Sequence, residues 1–248
     1  MQRFFVEPHQ IDEEAHQIHI TGTDVNHIAN VLRMKQGEEV WISDGGQKEY
    51  RCAIEAFSAD EVLLHIIYAQ EPDYELPSRI YLFQGLPKAD KMEYIIQKNT
   101  ELGAKQIVPV EMVRCVVKLD SKKEGKKIER WQKIAESAAK QSGRDLIPTV
   151  EMPIDINNLC EKIKDFDAVI LAYEEEKENT LKNELKKLDE TKNLKIGVII
   201  GPEGGIDKTE IEKLANAGAK VVTLGKRILR TETASISIMS NIVYEFEL

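Results

Sequence analysis

The first 69 residues alternate between apolar and polar positions in several short runs that are separated by turn formers. Alternation with a period of two is typical of strands that bury one face. These runs are rich in Val, Ile, Tyr and Phe and predict strands at 3–6, 17–21, 39–43, 50–57 and 62–68. One stretch, 24–34, instead places its apolar residues from Val25 to Leu32 at helical spacing. The pattern predicts a small β-barrel with one helix.

Two prolines and three acidic residues interrupt this pattern between 71 and 77. A domain boundary there gives domains at 1–73 and 74–248. Beyond the boundary, apolar runs predict strands at 80–85, 107–112, 168–172, 196–200 and 221–224. Helical spacing predicts helices at 91–102, 124–142, 180–188, 208–218 and 234–246, with Asp207 and Glu210 as a capping box. Such alternation is typical of an α/β domain with a mainly parallel sheet.

The composition narrows the class of protein. The 248 residues are 42% hydrophobic and 31% charged, which is typical of a soluble globular protein. The chain contains no apolar stretch of membrane-spanning length, and residues 1–8 lack the apolar core of a signal peptide. Cys52, Cys115 and Cys160 are far apart and form no C-x-x-C pair. We therefore expect a cytoplasmic protein without a membrane partner, a disulfide framework or a metal site.

Charge is distributed unevenly along the chain, whose net charge is −9. Residues 1–74 hold 5 Lys/Arg and 14 Asp/Glu, whereas residues 86–144 hold 14 basic and 8 acidic residues. A basic segment on an acidic protein can still bind phosphates, because local patches set the field near a surface. A solvated lysine-rich helix face would have the same composition, so both interpretations stand.

Glycines cluster after two of the later predicted strands, at 201–205 (Gly-Pro-Glu-Gly-Gly) and in 224–234 (Leu-Gly-Lys-Arg-Ile-Leu-Arg-Thr-Glu-Thr-Ala). Open α/β sheets bind their ligands at this edge, where a strand ends and a helix is about to begin. Glycine lets backbone groups approach a ligand closely, and backbone groups held at a fixed distance can read the edge of an adenine. A tight strand-to-helix turn uses similar residues.

Two common nucleotide fingerprints are missing. Residues 85–90, Gly-Leu-Pro-Lys-Ala-Asp, follow the first strand of the α/β part without the dinucleotide motif G-x-G-x-x-G. The phosphate-binding motif G-x-x-x-x-G-K-[ST] does not occur in the sequence either. These absences argue against a dinucleotide enzyme and against the common P-loop ATPases.

Arg227 and Arg230 lie close to Glu232 in the second glycine stretch. Guanidinium groups suit carboxylates and phosphates, although an Arg–Glu ion pair that caps the last helix would look the same. All five histidines lie in the first 65 residues, so the α/β domain has none for a Ser-His or Cys-His pair. The glycine loops and the charged residues of the α/β domain suit a reaction that is catalysed by positioning and electrostatics, such as methyl transfer from a sulfonium donor.

Several separated segments match one known family in the right order. They are 201–205, 224–234, the segment 91–103 (Lys-Met-Glu-Tyr-Ile-Ile-Gln-Lys-Asn-Thr-Glu-Leu-Gly), the turn 141–144 (Gln-Ser-Gly-Arg), and Asn26-His27 with Val31-Leu32-Arg33. Together they resemble the bacterial 16S ribosomal RNA (uridine-N3) methyltransferases, which belong to the SPOUT, or trefoil-knot, superfamily. The similarity spans nearly the whole chain.

The resemblance implies a PUA-like β-barrel that helps to hold RNA, followed by an α/β SPOUT domain whose final segment is threaded through a loop. It implies a homodimer that methylates uridine 1498 of 16S ribosomal RNA with S-adenosylmethionine. The implied cofactor-binding residues are Leu171, Ala172, Tyr173, Ile200, Gly201, Pro202, Glu203, Gly204, Gly205, Leu224, Gly225, Arg227, Ile228 and Leu229.

Loss of the uridine N3 proton requires a base, or a cation that stabilises the resulting anion. We expect Arg230 to stabilise the negative charge that develops on the uracil, and Glu232 to orient Arg230 or to accept the proton. The candidates for RNA contacts are His27, Arg33, Lys91, Lys98, Arg114 and Arg144. A SPOUT enzyme acting on another rRNA or tRNA position and a non-catalytic RNA-binding protein are the alternatives.

Overall fold

The computed structural model describes residues 1–46, 48–118, 121–188 and 193–247, without the side chains of 121–123. The chain forms two compact units. The first unit comprises Met1–Glu75 and Ala139–Ile147, and the second comprises Leu76–Ala138 and Pro148–Leu248. The short segment Ala139–Ile147 therefore belongs with the N-terminal residues, a grouping that the linear pattern does not indicate.

The first unit is built on one six-stranded sheet. Its strands are β1 (Gln2–Phe5), β2 (Ile11–Asp12), β3 (Gln17–Thr21), β4 (Glu39–Ser43), β5 (Glu49–Phe57) and β6 (Glu61–Gln70). Their order is β1-β4-β5-β6-β3-β2, with β1 and β4 parallel and the other pairs antiparallel. The five predicted strands are confirmed, and their alternate side chains form one apolar core. Only β2 was not predicted, because two residues are too few to show a period.

The helix predicted at 24–34 is wrong in its second half. Helix α1 (Thr23–Asn26) continues as a π-helix over His27–Val31. The Leu32 N–H donates to the His27 carbonyl over 2.8 Å, and Arg33 ends the segment with a φ of 53°. The wider turn keeps Ile28 in the core but leaves Val31 61% exposed, although α-helical spacing would place both on one face.

A buried ion network holds part of the first unit together. Arg3 contacts Glu49 over 2.6 Å and Asp145 over 2.5 Å, and both carboxylate side chains are fully buried. The Ser43 hydroxyl donates to the Asp145 carbonyl over 2.7 Å. Because buried charges are stable only when they are paired, this network links the segment Ala139–Ile147 to the strands of the first unit.

The second unit is an α/β domain. Its strands are β7 (Arg79–Gly85), β8 (Ala104–Glu111), β9 (Thr149–Val150), β10 (Ile154–Asp155), β11 (Ala168–Ala172), β12 (Lys195–Ile200) and β13 (Lys220–Val222). The sheet order is β10-β8-β7-β12-β11-β13, with β9 beside β8, and every pairing is parallel. The predicted parallel sheet is confirmed. The strand predicted at 221–224 lies at Lys220–Val222, two residues shorter at its end.

The helices of the chain after residue 75 are α2 (Lys91–Glu101), α3 (Ser121–Ser142), α4 (Ile156–Lys162), α5 (Leu181–Leu185), α6 (Lys208–Asn216) and α7 (Thr231–Phe246). The Asp207–Glu210 capping box of α6 is confirmed. Helix α4 was not predicted, although the Asp155 carboxylate that accepts from the Asn158 N–H marks its start. The last helix begins at Thr231, three residues before the predicted start.

Two apolar layers cover the faces of the parallel sheet. Ile80, Leu82 and Val198 belong to one layer, and Phe83 and Ile199 belong to the other. Because both faces are covered, the strands are nearly continuous apolar runs, and polar chemistry is left to the loops at their ends. Within the described ranges, no helix is both long and apolar enough to cross a membrane.

Candidate active site

The loop that follows β12 is a tight turn built on glycine. A Cβ atom on Gly201 would lie 2.6 Å from Cγ1 of Ile206, so any other residue there would force the loop or Ile206 to shift. Gly205 has a φ of +71°, and its N–H donates to the Pro202 carbonyl over 2.9 Å. This geometry turns the loop back at the carboxyl edge of the sheet.

Buried polar side chains hold this loop from below. The Gln84 amide donates to the Thr231 hydroxyl over 2.8 Å, and that hydroxyl donates to the Gly201 carbonyl over 2.6 Å. Gln84 is fully buried at the end of β7, and Thr231 is the first residue of α7. The three groups fix the start of the last helix against the first glycine loop.

The second glycine loop joins β13 to α7. Gly225 has a φ of +118°, and its N–H donates to the Thr223 hydroxyl over 3.2 Å. Leu224 and Leu229 pack against the core, while Ile228 between them is 84% exposed. The two leucines anchor a loop whose backbone is otherwise presented at the surface.

A third segment completes the site at the end of β11. The Tyr173 N–H donates to the Val222 carbonyl over 3.0 Å and so joins this segment to β13. Burial, followed by the hydrogen bond to Glu175, raises the pKa of the Tyr173 hydroxyl above its ordinary value.

These segments surround a cavity of about 380 Å³, which is within the range of small-molecule sites. The predicted cofactor residues that line it are Ala172, Tyr173, Ile200, Gly201, Pro202, Glu203, Gly205, Leu224, Gly225, Arg227, Ile228 and Leu229. Leu171 is instead fully buried in the core, and a Cβ on Gly204 would lie 3.0 Å from the Arg114 carbonyl oxygen. The structure thus brings twelve of the fourteen residues to one cavity.

Three charged side chains meet at one side of the cavity. The Lys91 ammonium lies 2.9 Å from Oε1 of Glu203 and 3.3 Å from Oε2 of Glu232. Burial opposes the ionisation of Glu203, but the hydrogen bonds from Lys91 and from backbone N–H groups outweigh it and lower the Glu203 pKa. The hydrogen bond to Glu203, together with the negative charge of Glu232, raises the pKa of Lys91 above its ordinary value.

Arg230, the residue before α7, lines the cavity and is exposed. Glu232 stands in the first turn of the same helix, with its side chain 17% exposed and its Oε2 atom buried. Of the two residues predicted to act on the substrate, Arg230 therefore lines the cavity, whereas Glu232 is not a lining residue and is joined to the cavity through its ion pair with Lys91, which does line it.

The other predicted RNA contacts are scattered. His27 and Arg33 are exposed in the first unit. Lys98 pairs with Glu101, and Arg114 contacts Asp207. Arg144 is 4% exposed and pairs with Glu75, so its burial does not support a phosphate contact.

The sequence motifs do not indicate that Gln84, Thr231 or Glu174 belongs to the site. Gln84 could have been found, because a glutamine at the end of an apolar strand is a buried polar group that needs a partner. Glu174 lines the cavity, but it stands in a run of acidic residues whose composition is typical of a solvated loop. The described residues include no cluster of three or more His, Cys, Asp or Glu side chains suited to a metal ion.

The parallel sheet and the loop-lined cavity at its carboxyl edge are accompanied by clear similarities to known proteins. Residues 74–243 match the RNA methyltransferase domain family, and residues 20–67 match the RNA methyltransferase PUA domain. These matches define the class, an RNA methyltransferase domain preceded by a PUA domain, and confirm the expected PUA-like domain followed by a methyltransferase domain.

Individual relatives narrow the class to one family. The chain is 41% identical to the ribosomal RNA small subunit methyltransferase E of Bacillus subtilis over 100% of this chain and 98% of the relative. A crystal structure of a hypothetical protein matches with a TM-score of 0.90 and 41% identity over 99% of both chains. The ribosomal RNA small subunit methyltransferase E of Neisseria gonorrhoeae, bound to S-adenosyl methionine, matches with a TM-score of 0.85 and 29% identity over 98% of this chain and 97% of that chain. The chain belongs to the ribosomal RNA small subunit methyltransferase E family.

Proposed function

We propose that this protein uses S-adenosylmethionine to methylate N3 of uridine 1498 in 16S ribosomal RNA. The observation that carries the proposal is the cavity itself, which is lined by the glycine loops, Arg230 and Lys91, with Glu232 paired to that lysine. Membership of the family supports the reaction class, and the resemblance of the sequence motifs supports the nucleotide.

The cavity suits an adenosine cofactor. Its walls combine backbone groups of two glycine loops with apolar side chains such as Ile200 and Leu229. An adenine needs apolar contact on its faces and hydrogen bonds at its edge, and such walls can provide both. The carboxylates of Glu174 and Glu203 at the rim would face a cationic ligand favourably.

S-adenosylmethionine, when bound, supplies a methyl group on a sulfonium sulfur, which keeps the electron pair of the broken bond. The protein must then handle the proton and the charge of the uracil. In the proposed mechanism the Glu232 carboxylate accepts the N3 proton, and the Arg230 guanidinium stabilises the negative charge that develops on the ring.

The RNA is expected to reach the protein through basic side chains outside the cavity. His27, Arg33 and Arg114 are exposed, and they are the better placed of the predicted contacts. Phosphate contacts make binding depend on salt, so weak salt dependence would count against a large phosphate footprint.

We further propose a homodimer located in the cytoplasm, where ribosomal RNA is made and modified in bacteria. Ile228, Val113 and Tyr244 are large apolar side chains that are 84%, 73% and 69% exposed in the single chain. A partner subunit is one way to cover such groups. Light scattering on the purified protein should give twice the mass of the chain, and the mass of a single chain would refute the dimer.

The direct test is methyl transfer by the purified protein. Small-subunit ribosomal RNA and intact small subunits, both lacking the modification, are incubated with labelled S-adenosylmethionine, and the product is mapped by mass spectrometry. Label at N3 of uridine 1498 is the expected result. Label at another position would indicate a different SPOUT target, and RNA binding without cofactor binding would indicate a non-catalytic protein.

A further inference from the structure

We propose that Lys91 is a positioning residue that holds the Glu232 carboxylate beside the cavity that Lys91 itself lines, rather than a contact for RNA phosphates. The inference rests on the proposed function, since it concerns the group that accepts the uridine proton. It also replaces the role that the sequence suggested for this lysine.

The geometry places Lys91 between two carboxylates. Lys91 is the first residue of α2, Glu203 stands in the first glycine loop, and Glu232 stands in the first turn of α7. The lysine nitrogen lies 2.9 Å from one carboxylate and 3.3 Å from the other. Three segments that are far apart in the chain therefore meet at one ammonium group.

The Glu203 carboxylate is itself held in place. The Lys88 N–H points at both of its oxygens, over 3.2 and 3.3 Å. Glu203 therefore acts as a fixed anchor for the Lys91 ammonium. From this anchor the ammonium group reaches Glu232 on the other side.

Glu232 depends on this lysine more than Glu203 does. Its Oε2 atom is buried and accepts no hydrogen bond of regular geometry from the described residues, so the ammonium at 3.3 Å is the charge that compensates it. A carboxylate left without its cation in such a place is destabilised and changes its orientation or its protonation. Without Lys91, Glu232 would be less able to accept a proton at a defined position.

A role in phosphate binding fits these contacts poorly. The ammonium has three N–H groups, and two carboxylates already engage it. Its side chain is 32% exposed, whereas that of Arg130, on the surface of α3, is 65% exposed. A phosphate would have to compete with two anions that are already in place.

The test compares Lys91→Met, Lys91→Arg, Glu232→Gln and the double variant K91M/E232Q with the unaltered enzyme. The measurements are kcat, KM for RNA, cofactor affinity by titration calorimetry, and the salt dependence of RNA binding. Lys105→Met is the matched control. Lys105 is exposed near the amino end of β8, whereas the cavity lies at the carboxyl ends of the strands.

For Lys91→Met we expect kcat to fall by about 10- to 100-fold, the cost of a misplaced catalytic group, with KM for RNA and the salt dependence unchanged. Lys91→Arg should recover part of the loss, because it restores the cation. The double variant should be no slower than Glu232→Gln alone, since Lys91 acts through Glu232. Lys105→Met should behave as the unaltered enzyme.

The opposite pattern would overturn the inference. A raised KM and a salt slope smaller by about one, with kcat unchanged, would make Lys91 a phosphate contact. Multiplicative losses in the double variant would show that Lys91 acts independently of Glu232. If Lys91→Met fails to fold, the same kinetic measurements are made on Lys91→Arg, and Glu232→Gln is compared with K91R/E232Q. These variants also show whether Lys91 acts through Glu232. Absence of methyl transfer by the unaltered protein would instead refute the proposed function.

Discussion

Arg230 and Glu232 lie two residues apart at the start of α7, yet their surroundings differ. Arg230 is exposed at the cavity, whereas the Glu232 side chain is largely buried beside Lys91. An exposed guanidinium can meet a ligand directly, while a buried carboxylate needs its cation already in place. The same short stretch of sequence therefore supplies two groups whose surroundings fit the two different tasks that we propose for them.

Replacing Arg230 by alanine should abolish most methyl transfer and leave cofactor affinity within about twofold. Loss of one group that stabilises developing charge lowers kcat by about 100-fold or more. Single-turnover kinetics and calorimetry measure the two effects. Arg130→Ala removes the same charge from the exposed surface of α3 and serves as the control. Lost cofactor binding in Arg230→Ala would place this arginine at the cofactor instead.

Cys52 is expected to resist thiol reagents in the folded protein. It is fully buried in the core of the first unit, and burial raises the pKa of its thiol to about 12. Because the thiolate is the reactive form, iodoacetamide at pH 8 should modify Cys52 only after the first unit unfolds. Peptide mass spectrometry with and without denaturant checks this. Rapid modification under native conditions would contradict the packing of β5 in the core.

At the scale of elements, the site depends on the close approach of β7 to the first glycine loop. A Cβ on Gly85, the last residue of β7, would lie 2.6 Å from Cδ and 2.7 Å from the backbone N of Pro202. Backbone atoms cannot give way as the end of a flexible side chain can. The strand end and the loop must therefore shift together if this position carries a side chain.

Gly85→Ala should weaken cofactor binding and lower the free energy of unfolding of the second unit by about 1–3 kcal/mol, as overpacking does. Calorimetric titration and denaturant unfolding measure these effects. Gly125→Ala is the control, since Gly125 lies in α3 with open space around its Cα. That change should keep cofactor affinity and stabilise the helix by up to about 1 kcal/mol. Equal behaviour of the two variants would rule out the tight contact.

At the scale of the whole molecule, the two units are stabilised by different kinds of buried interaction. The second unit is held by apolar layers on both faces of its sheet. The first unit adds a buried ion network, in which Arg3 pairs with Glu49 and Asp145. Breaking a buried pair is costly, because the remaining charge has no compensation.

Arg3→Met should lower the free energy of unfolding of the first unit by about 3–5 kcal/mol, since two buried carboxylates lose their cation. Trp41 reports on this unit when Trp131, the other tryptophan of the chain, is replaced by phenylalanine in all the proteins compared. Lys48→Met, which removes an exposed partner of Glu13, should have a far smaller effect. Similar losses in both variants would show that the network contributes no more than a surface pair.

The strands and most helices follow from the sequence by itself, because hydrophobic period and capping are local properties. The alternation in the first 70 residues predicts its five longer strands, and Asp207 with Glu210 marks the start of α6. The motifs also predict which glycine loops line the cavity and which reaction class they serve. Local signals fail where the backbone departs from a regular period, as in the π-helix at His27–Val31.

Only the tertiary structure decides which distant side chains meet. It places Ala139–Ile147 in the first unit through Arg3, and it joins Gln84, Thr231 and Gly201 beneath the cavity. It also turns Lys91 from a surface cation into the partner of Glu232. A residue's type and its neighbours in sequence do not determine these pairings. The pairings depend on how the strands are ordered and on where the loops at their ends converge. The segments around Leu224 and Gly201 predict the candidate site from sequence, and the path of the chain determines the charges that surround it.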